Sequence, residues 1–392
     1  TGIQELSKIY DGQPVNDPTF ESPSSKKNQA EIVYKEQTEP DKAYSPDAPK
    51  DAGSYTVKVT VPADDNYAEA SATANFTISQ KEVTISGTTV ASTRVYDATT
   101  VAEITDDGTL SANYDGSNLT IKRGTASYDN KNVGDNKPVT FKGFELDGSA
   151  KDNYTLTEQP AATRANITKK TITVSGTAIA EKVYDGTTDA ALDGTRTLNG
   201  VESGDTVSLS DGTVEFADKN VGTGKTVNVT GDFTLTGTDA GNYTLTQPSN
   251  LTGTITACPV TISGTTVTGT RVYNGLTSAY IDNAGTVSPN YDGDNLTITT
   301  GSANYNDKTV GNNKNVTFTG FALGGSEASN YTLTAQPAAT TAAITAKELT
   351  VTSTEIAEKV YDGDVTASFF GTPEIVGKVE SDTVTHLSLT HI

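Results

Sequence analysis

The sequence lacks tryptophan and methionine, and its 392 residues include one cysteine. A single cysteine excludes an intrachain disulfide framework. Because a chain of this length without methionine lacks a natural start, we expect it to be an internal part of a longer protein. No apolar run approaches the roughly 20 residues of a membrane-spanning helix, which predicts no membrane insertion. The two histidines, His386 and His391, both lie near the end of the sequence, so no zinc site or His-centred triad recurs along the chain.

Basic residues are also scarce relative to acidic ones. The chain has 28 Lys and Arg against 49 Asp and Glu, a formal net charge of -21. A surface this acidic repels phosphate backbones, so nucleic acid is not an expected partner. The apolar content is only 34%. That fraction favours thin β-domains with much exposed surface over one large globule.

What the sequence has instead is repetition. A Tyr-Asp-Gly motif occurs five times, at tyrosine spacings of 86, 88, 89 and 88 residues. Its copies are Tyr10-Asp11-Gly12, Tyr96-Asp97-Ala98, Tyr184-Asp185-Gly186, Tyr273-Asn274-Gly275 and Tyr361-Asp362-Gly363. An Asn-Tyr-Thr-Leu motif follows the same period and begins at Asn153-Tyr154, Asn242-Tyr243 and Asn330-Tyr331. This period is too long for a solenoid turn and matches a small domain.

Alignment of these motifs divides the chain into repeats. We predict five repeats, numbered in chain order: the first, at 1–80, is a domain of a different type, and the second to fifth lie at 81–168, 169–256, 257–345 and 346–392. Longer shared phrases relate the second repeat to the fourth and the third to the fifth, which indicates duplication of a pair. The fifth repeat lacks the Asn-Tyr-Thr-Leu motif and is predicted to be truncated.

The local pattern predicts an all-β fold. Segments such as Val83–Ile85 and Ile172–Val174 alternate apolar and polar residues, and Asp-Gly and Asn-Gly pairs separate the runs as turns. About six to eight short strands per repeat are typical of a small β-sandwich-like domain. No Gly/Ser or Pro linker separates one repeat from the next. We therefore expect a monomeric tandem array of such domains, arranged end to end as a semi-rigid rod.

The recurring residues have a catalytic and a structural interpretation. A carboxylate beside a phenol suggests acid-base chemistry, but Asp becomes Asn274 in one copy and Gly becomes Ala98 in another. An amide cannot replace a catalytic carboxylate, whereas it can still cap a turn. We therefore interpret the tyrosines as core residues with hydrogen-bonded hydroxyls, the Asp as a turn cap and the Gly as a residue of positive φ. No catalytic, cofactor-binding or metal-binding residue is predicted.

Two alternatives and one odd residue accompany this interpretation. The loops at 115–118 and 292–295 offer oxygen ligands for calcium, without the spacing of a calcium loop. Equivalent lysines and asparagines would allow Lys-Asn isopeptide bonds if a buried carboxylate lay nearby; they are Lys131, Lys219 and Lys308 with Asn153, Asn242 and Asn330. Cys258 aligns with lysines of the other repeats, which predicts an exposed thiol.

The order and spacing of these motifs resemble bacterial MBG (mostly-β, glycine-rich) domains in the first 80 residues and YDG-motif domains thereafter. The resemblance implies an extracellular protein, on the bacterial surface or secreted, in which such repeats form a non-catalytic, adhesive stalk without cofactors. It leaves the ligand open, a host or matrix glycan or protein. The alternative it implies is an accessory module, with a glycan-binding role, of an extracellular glycan-active enzyme whose catalytic domain lies elsewhere.

Overall fold

The computed structural model describes residues 2–291, 293–352, 355–370 and 373–385. The two histidines, His386 and His391, lie outside these residues, and so does Asp292 of the loop 292–295. Strands dominate the described chain, and its only helices are 3₁₀ turns at Lys27–Gln29, Asp41–Ala43, Gly116–Asn118, Lys151–Asn153, Ala240–Asn242 and Ala328–Asn330. Over this part of the chain, no helix has the length and apolar character needed to cross a membrane.

The first repeat is built on one four-stranded sheet. Its strands are, in spatial order, Lys8–Ile9, Ala70–Ser79, Gly53–Val61 and Glu31–Glu36. The first pair is parallel and the others are antiparallel. Burial alternates strictly along Gly53–Val61, where the Tyr and Val side chains point into the core and the Thr and Lys side chains point outward. This is the period-two pattern expected of a sheet with one solvated face.

The second repeat has a five-stranded sheet and four small ones. The large sheet runs in the order Thr93–Val95, Thr163–Thr168, Gly134–Lys142, Thr125–Tyr128 and Val101–Ala102. The small pairs are Thr89–Val90 with Ile104–Asp106, Ile85–Ser86 with Thr109–Leu110, Thr120–Lys122 with Glu145–Asp147, and Lys81–Val83 with Tyr154–Leu156. These thirteen strands exceed the expected six to eight, because glycine turns such as Gly87 and Gly108 cut the runs into pieces of two or three residues.

The third and fourth repeats reproduce this topology. In the third repeat the five-stranded sheet has the order Lys182–Val183, Leu251–Thr256, Gly222–Gly231, Thr213–Phe216 and Asp189–Ala190. In the fourth repeat the order is Thr270–Val272, Thr340–Thr345, Gly311–Thr319, Ser302–Tyr305 and Ser278–Ala279. Each of these repeats also has a three-stranded sheet. Its order is Thr197–Asn199, Lys170–Ser175 and Tyr243–Thr246 in the third repeat, and Thr286–Ser288, Cys258–Ser263 and Tyr331–Leu333 in the fourth. The remaining pairs are Ala178–Ile179 with Leu192–Asp193, Ser208–Ser210 with Thr234–Thr236, Thr266–Val267 with Ile281–Asn283, and Thr297–Thr299 with Ala322–Gly324.

The described part of the fifth repeat contains two strand pairs. Thr350–Thr352 pairs with Glu374–Val376, and Glu355–Ile356 pairs with Phe369–Phe370. The sheets of all five repeats thus agree with the predicted all-β tandem array.

The chain forms two compact units, and residues of the third repeat belong partly to one unit and partly to the other. The first unit is Thr1–Thr173, Leu198–Ser210 and Thr234–Thr246, and the second is Val174–Thr197, Asp211–Phe233 and Gln247–Ile392. Each YDG-type repeat therefore has two parts. We call the part around the five-stranded sheet its sheet half. The rest is its connecting half, which comprises residues 170–173, 198–210 and 234–246 in the third repeat, and the equivalent residues 81–84, 110–122 and 145–157 in the second and 258–261, 287–299 and 322–334 in the fourth.

Within the first unit, each connecting half completes the core of the preceding repeat. Val83, Leu119 and Tyr154 of the second repeat are buried among residues of the first repeat's sheet. Ile172 and Tyr243 of the third repeat are buried in the same way against the sheet half of the second. A sheet half alone would expose this apolar face. The sequence repeat and the packed domain are consequently out of phase.

Candidate functional site

The motif tyrosines sit where the edge strand of each sheet ends. The backbone N–H groups of Tyr10 and Tyr96 donate to the carbonyl oxygens of Ser79 and Thr168, at 2.8 and 2.9 Å, which ties each tyrosine to the last strand of its own repeat. The side chains of Tyr10, Tyr96 and Tyr184 are only 1% exposed. Each ring is thereby fixed at the surface on which the next repeat packs.

A second tyrosine meets each of these rings from the following repeat. Tyr154, Tyr243 and Tyr331 each follow a 3₁₀ turn that ends in the asparagine of the Asn-Tyr-Thr-Leu motif. Their rings pack edge to face on Tyr10, Tyr96 and Tyr184, with centroids 5.2, 5.3 and 5.3 Å apart. This is the geometry that the quadrupoles of two aromatic rings favour. The two tyrosine motifs, 144 to 147 residues apart, are thus brought together in space.

Each tyrosine pair shares one aspartate, which we call the junction aspartate. Tyr10 and Tyr154 both donate to Oδ2 of Asp115 at 2.7 Å. The same bonds to Asp205 Oδ2 come from Tyr96 and Tyr243, at 2.7 and 2.5 Å, and to Asp294 Oδ2 from Tyr184 and Tyr331, at 2.6 Å each. Two hydroxyl donors on one carboxylate oxygen satisfy a group that burial would otherwise penalise.

In two of these junctions a lysine neutralises the second carboxylate oxygen. Lys219 Nζ lies 2.5 Å from Asp294 Oδ1, and Lys131 Nζ contacts Asp205 Oδ1 in the same way. Both aspartate side chains have no solvent exposure, whereas each lysine side chain is 34% exposed. Lys131 has a second anionic partner in Asp239 Oδ1, at 3.0 Å.

The proton equilibria of these groups are shifted accordingly. Burial and the hydrogen bond to Asp205 raise the pKa of Tyr96 and of Tyr243. Burial acts to raise the pKa of Asp205 too, but hydrogen bonds from Lys131, Tyr243 and Tyr96 outweigh it and lower that pKa. Hydrogen bonds to Asp205 and Asp239 raise the pKa of Lys131. The ion pair and both neutral phenols therefore persist across the ordinary pH range.

The fourth junction is looser. Tyr273 donates to Asp382 Oδ1 at 2.9 Å, and Lys308 Nζ is 3.6 Å from the same oxygen. The Asp382 side chain is 21% exposed. Tyr361 of the fifth repeat, by contrast, is 94% exposed.

The asparagine of the second motif forms another contact with the preceding repeat. Oδ1 of Asn242 accepts a hydrogen bond from the backbone N–H of Val133 at 2.9 Å, and its Nδ2 donates to Asn132. Asn153 binds the Ala52 N–H and the Asp51 carboxylate, and Asn330 binds the Val221 N–H and the Asn220 amide. All three asparagines are buried. Each holds the turn before a long strand of the neighbouring sheet, which is Gly53–Val61, Gly134–Lys142 or Gly222–Gly231.

The Asp and Gly of the Tyr-Asp-Gly motif lie in the adjacent turn. Oδ1 of Asp11, Asp97, Asp185 and Asp362, or of Asn274, accepts the backbone N–H two residues later. Gly12, Gly186, Gly275 and Gly363 have positive φ, and so does Ala98. A Cβ on Gly12 or Gly186 would lie 3.2 or 3.1 Å from Cβ of Tyr114 or Tyr291 in the next repeat. The glycine therefore permits both the turn and a close approach between repeats.

The sequence marks the loops that contain Asp115 and Asp294 as a source of oxygen ligands, but it does not reveal the role of Asp115, Asp205 and Asp294 as junction aspartates. Asp205 and Asp294 occupy equivalent positions, three residues before the strands Ser208–Ser210 and Thr297–Thr299, but Asp115 lies two residues earlier in its own loop, and Ser117 takes the equivalent place. This offset hides the pattern from a motif comparison. The available signal was an acidic residue in the same short loop of each repeat, combined with a buried tyrosine that needs an acceptor.

The residues considered above for calcium binding and for isopeptide bonds contact other side chains in the structure. Asp115 and Asp294, which belong to the two loops considered for calcium, accept tyrosine hydroxyls. Lys131 and Lys219 form ion pairs with aspartates rather than contacts with asparagines. Over the described residues, no group of three or more His, Cys, Asp or Glu side chains is arranged to hold a metal ion.

The prediction of an exposed Cys258 is wrong. The residue is 3% exposed and begins the strand Cys258–Ser263, which pairs in parallel with Tyr331–Leu333. In the third repeat the lysine at this strand position, Lys170, reaches Glu202 with its long side chain and forms an ion pair there. A short apolar side chain at the same position is instead covered, and the thiol contributes to the pKa rise of Tyr291 after the larger effect of burial.

Three pockets on the described surface lie away from these motifs. Three surface pockets of 290, 250 and 310 Å³ are lined by residues around Gly253, Phe20 and Leu6, respectively. None of them is lined by a residue of the two recurring motifs or by a junction aspartate. The recurring side chains therefore lie outside these three pockets.

Comparison with known proteins agrees with this organisation. The sequence model of the YDG domain matches residues 79–163, 168–250 and 256–341, and that of the MBG domain matches residues 2–82. Domains of these types are typically non-catalytic.

No curated protein matches the chain. Among solved structures, the crystal structure of Drosophila N-cadherin EC1-4 aligns over 87% of this chain and 99% of its own, at 10% identity and a TM-score of 0.23, values too low to support any argument. The family models cover most of the chain. The protein therefore belongs to the YDG domain family and carries an MBG domain ahead of its YDG repeats.

Proposed function

We propose that this chain is a non-catalytic spacer and adhesive region of a bacterial surface or secreted protein. The observation that carries the proposal is that the motif tyrosines up to Tyr331 and the buried asparagines Asn153, Asn242 and Asn330 are all used in contacts between neighbouring repeats. The paired tyrosines donate to the junction aspartate, and the asparagine accepts a backbone N–H of the preceding repeat, so these side chains are engaged in contacts between repeats. Residues used in this way hold neighbouring repeats together mechanically.

The same contacts support a semi-rigid rod. Within the first unit, the second repeat completes the core of the first and hydrogen-bonds to it at Asp115 and Asn153. A buried, hydrogen-bonded junction resists bending more than a flexible linker does. We infer that the array holds its binding surface at a distance from the cell and that the high negative charge keeps it soluble.

Small-angle X-ray scattering tests the spacer role. We expect an elongated particle whose radius of gyration far exceeds the value of about 19–22 Å that globular scaling gives for a chain of this length. The variant Asp205→Ala, which breaks one junction, should broaden the distance distribution, while Glu145→Ala on an exposed ion pair should leave it unchanged. A compact particle would refute the rod.

Adhesion and location need separate measurements. A glycan and matrix-protein array probed with the whole chain should return reproducible hits if the repeats themselves adhere. An array without hits would reduce the proposal to a passive spacer. Protease shaving of intact cells of the producing organism should release peptides of this chain, and their exclusive recovery from cell lysate would refute an extracellular location.

A further inference from the structure

Asn274 is the one amide among five otherwise acidic motif positions. The four aspartates each pair with a cation three residues earlier, at 2.6, 2.5, 2.8 and 2.8 Å; the pairs are Lys8–Asp11, Arg94–Asp97, Lys182–Asp185 and Lys359–Asp362. In the fourth repeat the corresponding cation is Arg271. Its guanidinium donates to the carbonyl oxygens of Leu276 and Ser278, and the described residues provide it with no carboxylate. The fourth repeat therefore has the cation of this pair without its anion.

The local geometry favours a change of that amide. Asn274 is exposed, and Gly275 follows it with φ of +79° and no side chain to shield its backbone nitrogen. The Leu276 N–H donates to Asn274 Oδ1 at 3.0 Å. A donor on this oxygen stabilises the negative charge that develops there when Cγ is attacked. Within the described structure, neither the Gly275 N–H nor Asn274 Nδ2 has a hydrogen-bond partner that would hold it back.

We propose that Asn274 is a spontaneous deamidation site whose aspartyl product completes the missing ion pair with Arg271. The Gly275 nitrogen attacks Cγ of Asn274, the Cγ–Nδ2 bond breaks, and Nδ2 leaves as ammonia with the proton from the attacking nitrogen. Water then opens the five-membered imide at the backbone carbonyl or at Cγ. Opening at Cγ leaves an ordinary aspartate, and the sum is asparagine plus water giving aspartate plus ammonia.

The aspartate has a ready partner. Arg94 and Arg271 occupy the same place, each lying over a tyrosine ring, Tyr128 or Tyr305, at 5.1 or 5.0 Å from its centroid. Since Arg94 Nη1 binds Asp97 at 2.5 Å, a carboxylate at position 274 has the same guanidinium within reach. Deamidation would convert the fourth copy of the motif, Tyr273-Asn274-Gly275, to a Tyr-Asp-Gly sequence.

The chain contains its own control. Its other Asn-Gly pair is Asn199-Gly200, in which Asn199 ends a strand of a three-stranded sheet. The whole chain is incubated at mildly alkaline pH, digested, and followed by peptide mass spectrometry with chromatographic separation of aspartyl and isoaspartyl forms. We expect Asn274 to convert about ten-fold faster than Asn199, because strand pairing restricts the backbone of the latter. Equal rates, or faster loss at Asn199, would refute the site.

Variants test the ion pair separately. Asn274→Gln should block conversion, and Asn274→Asp should mimic its product. The product-like variant should show slower hydrogen exchange in residues 270–280 than the native chain at low salt. That gain should vanish at high salt and in the double variant Asn274→Asp, Arg271→Gln. If the gain survives removal of Arg271, or if aged protein yields only the isoaspartyl form, the pairing is wrong.

Discussion

Asp115 and Asp205 perform the same task at two successive junctions of the first unit, but their surroundings differ. Asp205 accepts two tyrosine hydroxyls and an ion pair from Lys131. Asp115 accepts two tyrosine hydroxyls, and no lysine is paired with it in the described structure. Lys50, which aligns with Lys131, likewise forms no ion pair among the described residues. The junction between the MBG domain and the first YDG repeat thus lacks the charge compensation of the next one.

The difference follows from where the acid lies in its loop. Ser117 takes the place that Asp205 and Asp294 hold, and Asp115 reaches the tyrosines from two residues earlier. A carboxylate displaced in this way accepts both hydroxyls through Oδ2, and no lysine pairs with it among the described residues. The tyrosine pair is therefore the common element of the junctions, and the lysine is an addition at the YDG-to-YDG junctions. Removing each element in turn separates their contributions.

Removal of the junction aspartate should have the largest effect. Asp205→Ala leaves two buried hydroxyls without their acceptor and leaves Lys131 with Asp239 as its remaining carboxylate partner, and we expect a loss of about 3 kcal/mol in local stability. Asp115→Ala leaves only the two hydroxyls, for which about 2 kcal/mol is expected. Hydrogen-exchange mass spectrometry of residues around Tyr96 and Tyr10 measures both. The exposed pair variant Glu145→Ala should change neither, and equal losses at the two junctions would remove the role assigned to Lys131.

Replacement of the buried asparagine should affect both junctions alike. Asn242→Leu and Asn153→Leu each remove the acceptor of a backbone N–H, that of Val133 or Ala52. An unsatisfied buried N–H costs about 1–3 kcal/mol, so we expect losses of about 2 kcal/mol at either place. Urea denaturation followed by tyrosine fluorescence reports the change. A much larger loss at one junction would show that the asparagine contact, too, differs between the two.

Acid should weaken the second junction through Asp205. Its pKa is lowered in the folded state by hydrogen bonds from Lys131, Tyr243 and Tyr96, which outweigh the opposing effect of burial. The stabilisation is therefore fully present above the ordinary carboxyl pKa of 3.8 and is lost as the pH falls through the lowered folded value. Exchange rates around Tyr96 measured from pH 6 to pH 3 should rise relative to those of Asp205→Asn, which has no carboxylate to protonate. Parallel curves for the two proteins would contradict this.

The sequence predicts the elements well and the junctions poorly. Alternating Val and Thr and the glycine turns indicate strands, and the copies with Asn274 and Ala98 predict the turn that the structure has at that motif. Nothing local reveals that Tyr154 packs on Tyr10 rather than within its own repeat, because both motifs lie on the same period. Likewise the loop offset of Asp115 and the burial of Cys258 depend on contacts made by the neighbouring strand and repeat, which periodicity does not encode.

The smallest expected effect concerns Gly12 and Ala98, the equivalent motif residues of the two junctions. Ala98 has φ of 61°, a conformation that costs an L-residue about 1 kcal/mol, and glycine would relieve it while adding a similar entropy cost in the unfolded chain. Ala98→Gly should therefore change stability by less than about 0.5 kcal/mol. Gly12→Ala has the same φ problem and also places a Cβ 3.2 Å from Cβ of Tyr114, so about 1–2 kcal/mol should be lost. Thermal unfolding of both variants compares them directly, and a large gain from Ala98→Gly would mean that the second junction stores strain the first avoids.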